Sequence, residues 1–140
     1  MAEKIKIGII GCGGIANGKH MPSLAKVKEV EMVAFCDIVP ERAERACKAY
    51  GSADAKVYTD YKELLDSGIV DAVLIAVPHY DHPTIAIEAF KRGINVLTEK
   101  PAGVYTKKVR EMNAVADKSD KIFAIMFYVN FNGFIVIVCC

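Results

Sequence analysis

Six residues near the amino terminus, Gly11-Cys12-Gly13-Gly14-Ile15-Ala16, follow an apolar run and precede a segment with helical patterning. Their pattern is G-x-G-x-x-A, and the chemistry it offers is phosphate binding by the main chain. Gly11 permits a tight turn, Gly13 lets the backbone approach a pyrophosphate with no Cβ between them, and Ala16 allows close packing of helix on strand. The helix that opens there turns unsatisfied N–H groups toward the anion. The second component is Asp37, at the end of the next apolar run and close to the ~20-residue spacing expected of a ribose-binding carboxylate. A carboxylate at that position accepts hydrogen bonds from a ribose 2′-OH and repels a 2′-phosphate. No arginine follows until Arg42. A glycine loop alone is a weak signal. Its place after a strand and before a helix, with Asp37 at the right distance, predicts a dinucleotide site that prefers NAD to NADP.

Two further segments carry side chains that could act on a ligand. Ala76-Val77-Pro78-His79 closes a third long apolar run and is followed by Tyr80-Asp81-His82. Ligands of open α/β sheets sit off the carboxyl ends of the strands, so Ala76, Val77, Pro78 and His79 are expected to line the cofactor. His79 could stack on it or hydrogen-bond to it. His82 is carried as a further candidate on the cofactor side, although its place before Pro83 also suits the start of the next helix. The fourth run ends in Thr98-Glu99-Lys100-Pro101. A lysine at a strand end beside a nicotinamide can orient a substrate hydroxyl or help to move its proton. A lone lysine would read as surface; the tripeptide Glu99-Lys100-Pro101 at this position argues for the site.

The elements that must hold these residues are legible from the switching period of the pattern. Apolar runs at Ile5–Ile10 and at residues 31–37, 71–77 and 94–98 read as strands buried on both faces, with Lys56–Tyr58 as a short edge strand. Helices lie between them. Pro40 opens one that Gly51 stops. Asp60 caps a short one, with Glu63 completing a capping box. His82-Pro83 opens a third that ends before Gly93, and Thr106 caps a fourth carrying Val109, Met112 and Ala116 on one face. A helix beginning near Gly14 is expected to stop or kink before Pro22 and resume near Ser23. Alternation of this kind predicts an α/β fold, a doubly wound, mostly parallel Rossmann sheet with helices on both faces.

The 140 residues are 25% charged with a formal net charge of +1. No basic run points to nucleic acid or to a membrane surface, and the start of the chain lacks the pattern of a secretory signal. The five cysteines, Cys12, Cys36, Cys47, Cys139 and Cys140, have the spacing of neither a zinc site nor a disulfide framework, so no metal is expected and reduced thiols in a cytoplasmic protein are.

Taken together, IGIIGCGGIANGKHMPSL, Asp37 and AVPHYDHPTIAIEAFKRGINVLTEKPAG resemble the glucose–fructose oxidoreductase / inositol dehydrogenase family over about residues 4–130. The resemblance implies an N-terminal Rossmann domain, a C-terminal α+β domain that supplies most substrate contacts and usually a catalytic Asp and His, and nicotinamide-dependent chemistry on sugars or polyols. It also implies that Gly11, Cys12, Gly13, Gly14, Ile15, Ala16 and Asp37 hold the cofactor. By the same resemblance Pro78 and His79 line it, Glu99, Lys100 and Pro101 close the nicotinamide side, and Lys100 is the catalytic lysine. Family chains are much longer than this one, which predicts residues 1–130 as an NAD(P)-binding domain, truncated and not fully active alone. A non-catalytic NAD-binding module or sensor subunit, or a degenerate fragment, are the alternatives.

Residues 131–140 form an apolar tail where family members turn polar. Asn132-Gly133 is a type I′ turn signal, so residues 134–140 are expected to fold back antiparallel as an extra edge strand in place of the second domain. A tail scrambled by truncation or frameshift is the other reading, and the two are compatible. Two asparagines and a glycine within the apolar stretch argue against a membrane anchor. An apolar edge strand predicts a homo-oligomer formed through it.

Overall fold

The computed structural model describes residues 3–128 and 135–139. Seven strands form one sheet in the order β3-β2-β1-β4-β5-β6-β7. They are β1 (Ile5–Ile10), β2 (Val30–Cys36), β3 (Lys56–Tyr58), β4 (Ala72–Ile75), β5 (Asn95–Glu99), β6 (Phe123–Tyr128) and β7 (Ile135–Cys139). The first six are parallel and β7 runs antiparallel to β6. This is the doubly wound sheet that the alternating pattern predicts, with the expected antiparallel strand at its carboxyl-terminal edge. The turn expected at Asn132-Gly133 lies outside the described residues.

Strand side chains alternate between two cores. On one face Ile7, Ile9, Phe35 and Leu74 pack with Met21 of α1 (Met21–Leu24) and with Ala43 and Ala46 of α2 (Pro40–Tyr50). On the other, Ile10, Val73, Ile75, Val96 and Phe123 pack against α3 (Tyr61–Asp66), α4 (His82–Lys91) and α5 (Thr106–Lys118) through Leu64, Ile85, Phe90 and Met112. Phe90 meets Phe123 edge to face at 5.6 Å, a favoured aromatic geometry. Burial on both faces explains the nearly continuous apolar runs in β1 and β4.

Several local expectations shift by a residue or two. β4 ends at Ile75, so Ala76 and Val77 belong to the loop above the sheet. Asp60 caps α3 by accepting the Lys62 N–H at 2.8 Å, one residue short of the Glu63 N–H that a capping box would use. Thr106 does not cap α5: Tyr105 occupies that position and Thr106 is already helical. Around Pro22 the backbone stays helical through residues 14–24, but Ala16–His20 winds as a π-helix before α1 resumes at Met21 rather than near Ser23. Pro22 then falls in the first turn of the resumed α-helix, where a missing N–H costs least.

The amino ends of the strands are stitched together. Asp71 Oδ2 accepts the Lys6 N–H at 2.8 Å. The Asn95 amide donates to Asp71 O at 2.8 Å, and its oxygen accepts the Ile122 N–H at 2.9 Å. The carboxyl ends are left for the loops that carry the predicted site.

Candidate functional site

The glycine loop leaves β1 under constraint from its neighbour β4. Gly11 has φ +94°, and a Cβ there would lie 2.5 Å from the Ala76 carbonyl oxygen. Its N–H donates to Cys36 O at 2.8 Å. The next N–H, from Cys12, donates to Asp37 Oδ2 at 2.8 Å, while Asp37 Oδ1 accepts the Val39 N–H at 2.9 Å. Asp37 is buried, only 8% exposed. Its carboxylate therefore fixes the loop after β1 to the loop after β2, and each oxygen keeps acceptor capacity for another donor.

Asn17 completes the loop. Its side-chain amide donates to the Cys12 carbonyl, and to Gly13 O at 3.0 Å. With those carbonyls engaged, the loop and the first helical turn have N–H donors left to offer. At both Gly13 and Gly14 a Cβ would meet nothing within 4 Å. Donors on a concave main chain with open space above it fit the pyrophosphate of a dinucleotide. Ala16 contributes differently: it is fully buried in the core beneath the helix, while Ile15 is 45% exposed.

Two clefts meet over Gly13 and Arg42, which line both. One, of about 530 Å³, runs from Cys12 and Gly14 toward Arg45 and Tyr50. The other, of about 590 Å³, brings together Gly11, Asp37, Ala76, Val77 and Pro78 and extends to Asp60. Ile15, Ala16, His79, His82, Glu99, Lys100 and Pro101 line neither.

Beyond β4 the site is built by two buried histidines. His82 is fully buried; Nε2 lies 2.8 Å from Val77 O and Nδ1 2.8 Å from Pro101 O. Both carbonyls are acceptors, so the ring nitrogen that carries hydrogen donates to the carbonyl it faces. His82 thus ties the β4 loop to the β5 loop instead of presenting a nitrogen to the cleft, and His79 stands exposed beside it at 5.7 Å between ring centres. His20, 7% exposed, places Nε2 2.7 Å from Glu99 Oε1. Glu99 Oε2 accepts the Lys100 N–H at 2.9 Å. The Lys100-Pro101 peptide is cis, and Lys100 itself is exposed.

The thiols near the loop are inert by environment. Burial first, then the charge of Asp37, pushes Cys12 up to about 12. The same two causes push Cys36 up to about 12. Thiolates, the reactive form, are scarce there at neutral pH. Among the described residues no group of three His, Cys, Asp or Glu side chains is placed to hold a metal ion, and no helix is long and apolar enough to cross a membrane.

Sequence reasoning missed Asn17 and His20 and undervalued Arg42. Asn17 had a local signal, a polar amide four residues past Gly13 at a helix start. His20 had none, because its partner is 79 residues away. Arg42 was discounted for its distance from Asp37 in the chain, yet the first turn of α2 brings it to the mouth of both clefts.

Comparison with known proteins agrees with this architecture. Residues 5–127 match the family described as "Oxidoreductase family, NAD-binding Rossmann fold". The chain is 35% identical over 118 residues to inositol 2-dehydrogenase from Salmonella paratyphi B, covering 84% of this chain and 34% of that protein. Among solved structures, the WlbA dehydrogenase from Chromobacterium violaceum, in complex with NADH and UDP-GlcNAcA, superposes with a TM-score of 0.82 at 31% identity over 89% of this chain and 35% of its own. The 3-ketoreductase KijD10 from Actinomadura kijaniata, in complex with NADP and TDP-benzene, gives a TM-score of 0.80 at 27% identity over 88% of this chain and 37% of its own. The chain spans about a third of the length of the curated relatives it matches.

Proposed function

The chain belongs to the glucose–fructose oxidoreductase / inositol dehydrogenase family, as an NAD(P)-binding Rossmann domain, and from that premise we propose that it binds NAD in preference to NADP and carries the dinucleotide half of a sugar or polyol oxidoreductase. The observation that carries the cofactor preference is Asp37. It is buried, bonded to the Cys12 N–H, and lines the cleft beside Gly11 and Gly13. A carboxylate fixed there favours paired ribose hydroxyls over a 2′-phosphate dianion.

At the switch between β1 and β4, Asp37 would hold the adenosine ribose of the dinucleotide and the N–H groups of residues 13–15 its pyrophosphate. Ala76, Val77 and Pro78 line its path, and His79 stands at the exposed rim. Glu99, Lys100 and Pro101 on the β4–β5 side would receive the nicotinamide. When bound, the nicotinamide supplies the hydride acceptor or donor. Lys100 is the catalytic residue in this reading: its Nζ orients the substrate hydroxyl, accepts that proton as a neutral amine in the oxidative direction and returns it as an ammonium in the reductive one. Substrate contacts from outside these 140 residues complete the active site. β7 pairs antiparallel with β6 at the edge of the sheet. As the last strand of the sheet order, it supports association of a second copy through that edge, and sedimentation as a monomer in dilute solution would rule this out. The three cysteines Cys12, Cys36 and Cys47 are free thiols, in keeping with a cytoplasmic setting.

Calorimetric titration with NAD⁺, NADH and NADPH tests the reading. Wild type should bind NADH at least about tenfold more tightly than NADPH, a difference of about 1.4 kcal/mol. Asp37→Ala should narrow that ratio while leaving Arg42 to meet a 2′-phosphate. Equal or tighter NADPH binding by wild type would overturn the preference, and no binding of any of the three would overturn the cofactor site.

A further inference from the structure

Lys100 is exposed on a loop, yet the backbone around it is gripped from two sides by histidines that come from different elements. We propose that His20 is a positioning residue for Lys100, acting through Glu99 to couple the phosphate-binding helix to the nicotinamide side of the site. This rests on the reading that the carboxyl end of β5 receives the nicotinamide.

The chain of contacts is continuous. The helical run that opens over the glycine loop at Gly14 ends its π segment at His20. The imidazole Nε2–H donates to Glu99 Oε1 at 2.7 Å, and Glu99 Oε2 accepts the Lys100 N–H at 2.9 Å. Both carboxylate oxygens are thus committed, one to the helix and one to the lysine's own backbone. On the far side His82 holds Pro101 O at 2.8 Å. With the main chain pinned before and after it, Lys100 is left with side-chain torsions as its freedom.

The supporting groups are buried and the supported one is not. The His20 and Glu99 side chains are 7% and 14% exposed, so their charge-assisted bond is little diluted by water. Ala16 and Met21, flanking the segment, are fully buried, which fixes the helix on the sheet. His20 shares the buried face with Ala16, four residues before it, while residues 17–19 stay exposed.

The test separates positioning from simple stability by using two ligands, NADH and ADP-ribose. ADP-ribose keeps the adenosine and pyrophosphate contacts but lacks the nicotinamide. His20→Phe fills the space without a donor. It is expected to weaken NADH binding about tenfold, the scale of one charged hydrogen bond, and to leave ADP-ribose within about twofold. His20→Gln retains a side-chain N–H toward Glu99 and should recover most of the NADH affinity. Glu99→Gln, which keeps the shape and removes the carboxylate, should repeat the selective loss even if His20→Phe fails to fold. In wild type the Lys100 amide resonance should report the Glu99 bond and shift in each impaired variant. Parallel losses of NADH and ADP-ribose, unchanged NADH binding, or no recovery with glutamine would overturn the role of His20. Failure of wild type to bind ADP-ribose would instead overturn the dinucleotide reading beneath it.

Discussion

The two sides of the strand-end crevice are built on opposite plans. On the β1–β2 side the recognition groups themselves are sealed in: Asp37 is 8% exposed and Gly11 is wedged against the Ala76 carbonyl. On the β4–β5 side the supports are sealed in, His82 at 0% and His20 at 7%, while Pro78, His79, Lys100 and Pro101 face outward. The first side is finished by this chain's own backbone and presents main-chain donors at fixed points. The second holds its working side chains rigidly from behind and leaves their fronts open to whatever lies above. A cofactor needs the first arrangement, because it is the same molecule each time. The role proposed for Lys100 needs the second, because a substrate would have to reach it.

The largest effect is expected where the first side is most constrained. Gly11→Ala would put a Cβ 2.5 Å from a backbone oxygen at φ +94°. Strain and overlap together should cost about 3 kcal/mol or more, read as a large fall in thermal midpoint with binding lost alongside. Gly13→Ala is the counterpart that breaks the comparison if it fails. Nothing lies within 4 Å of a Cβ at Gly13, so stability should stay within about 0.5 kcal/mol of wild type. Dinucleotide binding should nonetheless fall by at least about tenfold, since the added methyl occupies the approach of the pyrophosphate. Unfolding curves and calorimetry on the same preparations check both. A Gly13→Ala protein that binds normally would mean that the open space above the loop is not where the phosphates sit.

Much of the first side was legible in the sequence and much of the second was not, for a physical reason. The glycine loop and Asp37 are local signatures, spelled out by residue type at a turn and a strand end, and Pro40–Tyr50 with Gly51 behind it reads as a helix from its own termini. Strand runs were legible because burial on both faces forces continuous apolarity. His20, Glu99 and His82 work through bonds 79, 1 and 19 residues away in the chain, and the tertiary ones have no local spelling. The sequence marked Glu99 and Lys100 as a unit but not what holds them. At Pro22 the missing N–H announced an interruption without choosing its kind; the chain winds as a π-helix over Ala16–His20, with Ala16 and Met21 packed in the core. Thr106 looked like a cap by type, but the backbone had already turned helical at that residue.

The smallest effect is expected far from the crevice, where α3 meets the end of α4. Arg92 donates to Asp66 Oδ1 at 2.5 Å and to Glu88 Oε2 at 2.7 Å. Those bonds hold both carboxyls below their ordinary values, the Asp66 shift coming first from the Arg92 hydrogen bond and the Glu88 shift from Arg92 and then Lys91. A folded-state value lowered in this way stabilises the protein above the ordinary carboxylate range, and the contribution is lost as pH falls through the lowered values. The network lies at the surface, with Asp66 exposed and Arg92 and Glu88 partly so, and its share of stability is small and screened by salt. Arg92→Gln should therefore leave stability at neutral pH nearly unchanged and flatten the acid limb of a stability-versus-pH curve below about pH 4. Dinucleotide affinity should not move, because no residue of this network lines either cleft. A coupled loss of binding would show that the α3–α4 surface bears on the site, and the contrast between the two sides of the crevice would then have to include the helices that back the β4–β5 loops.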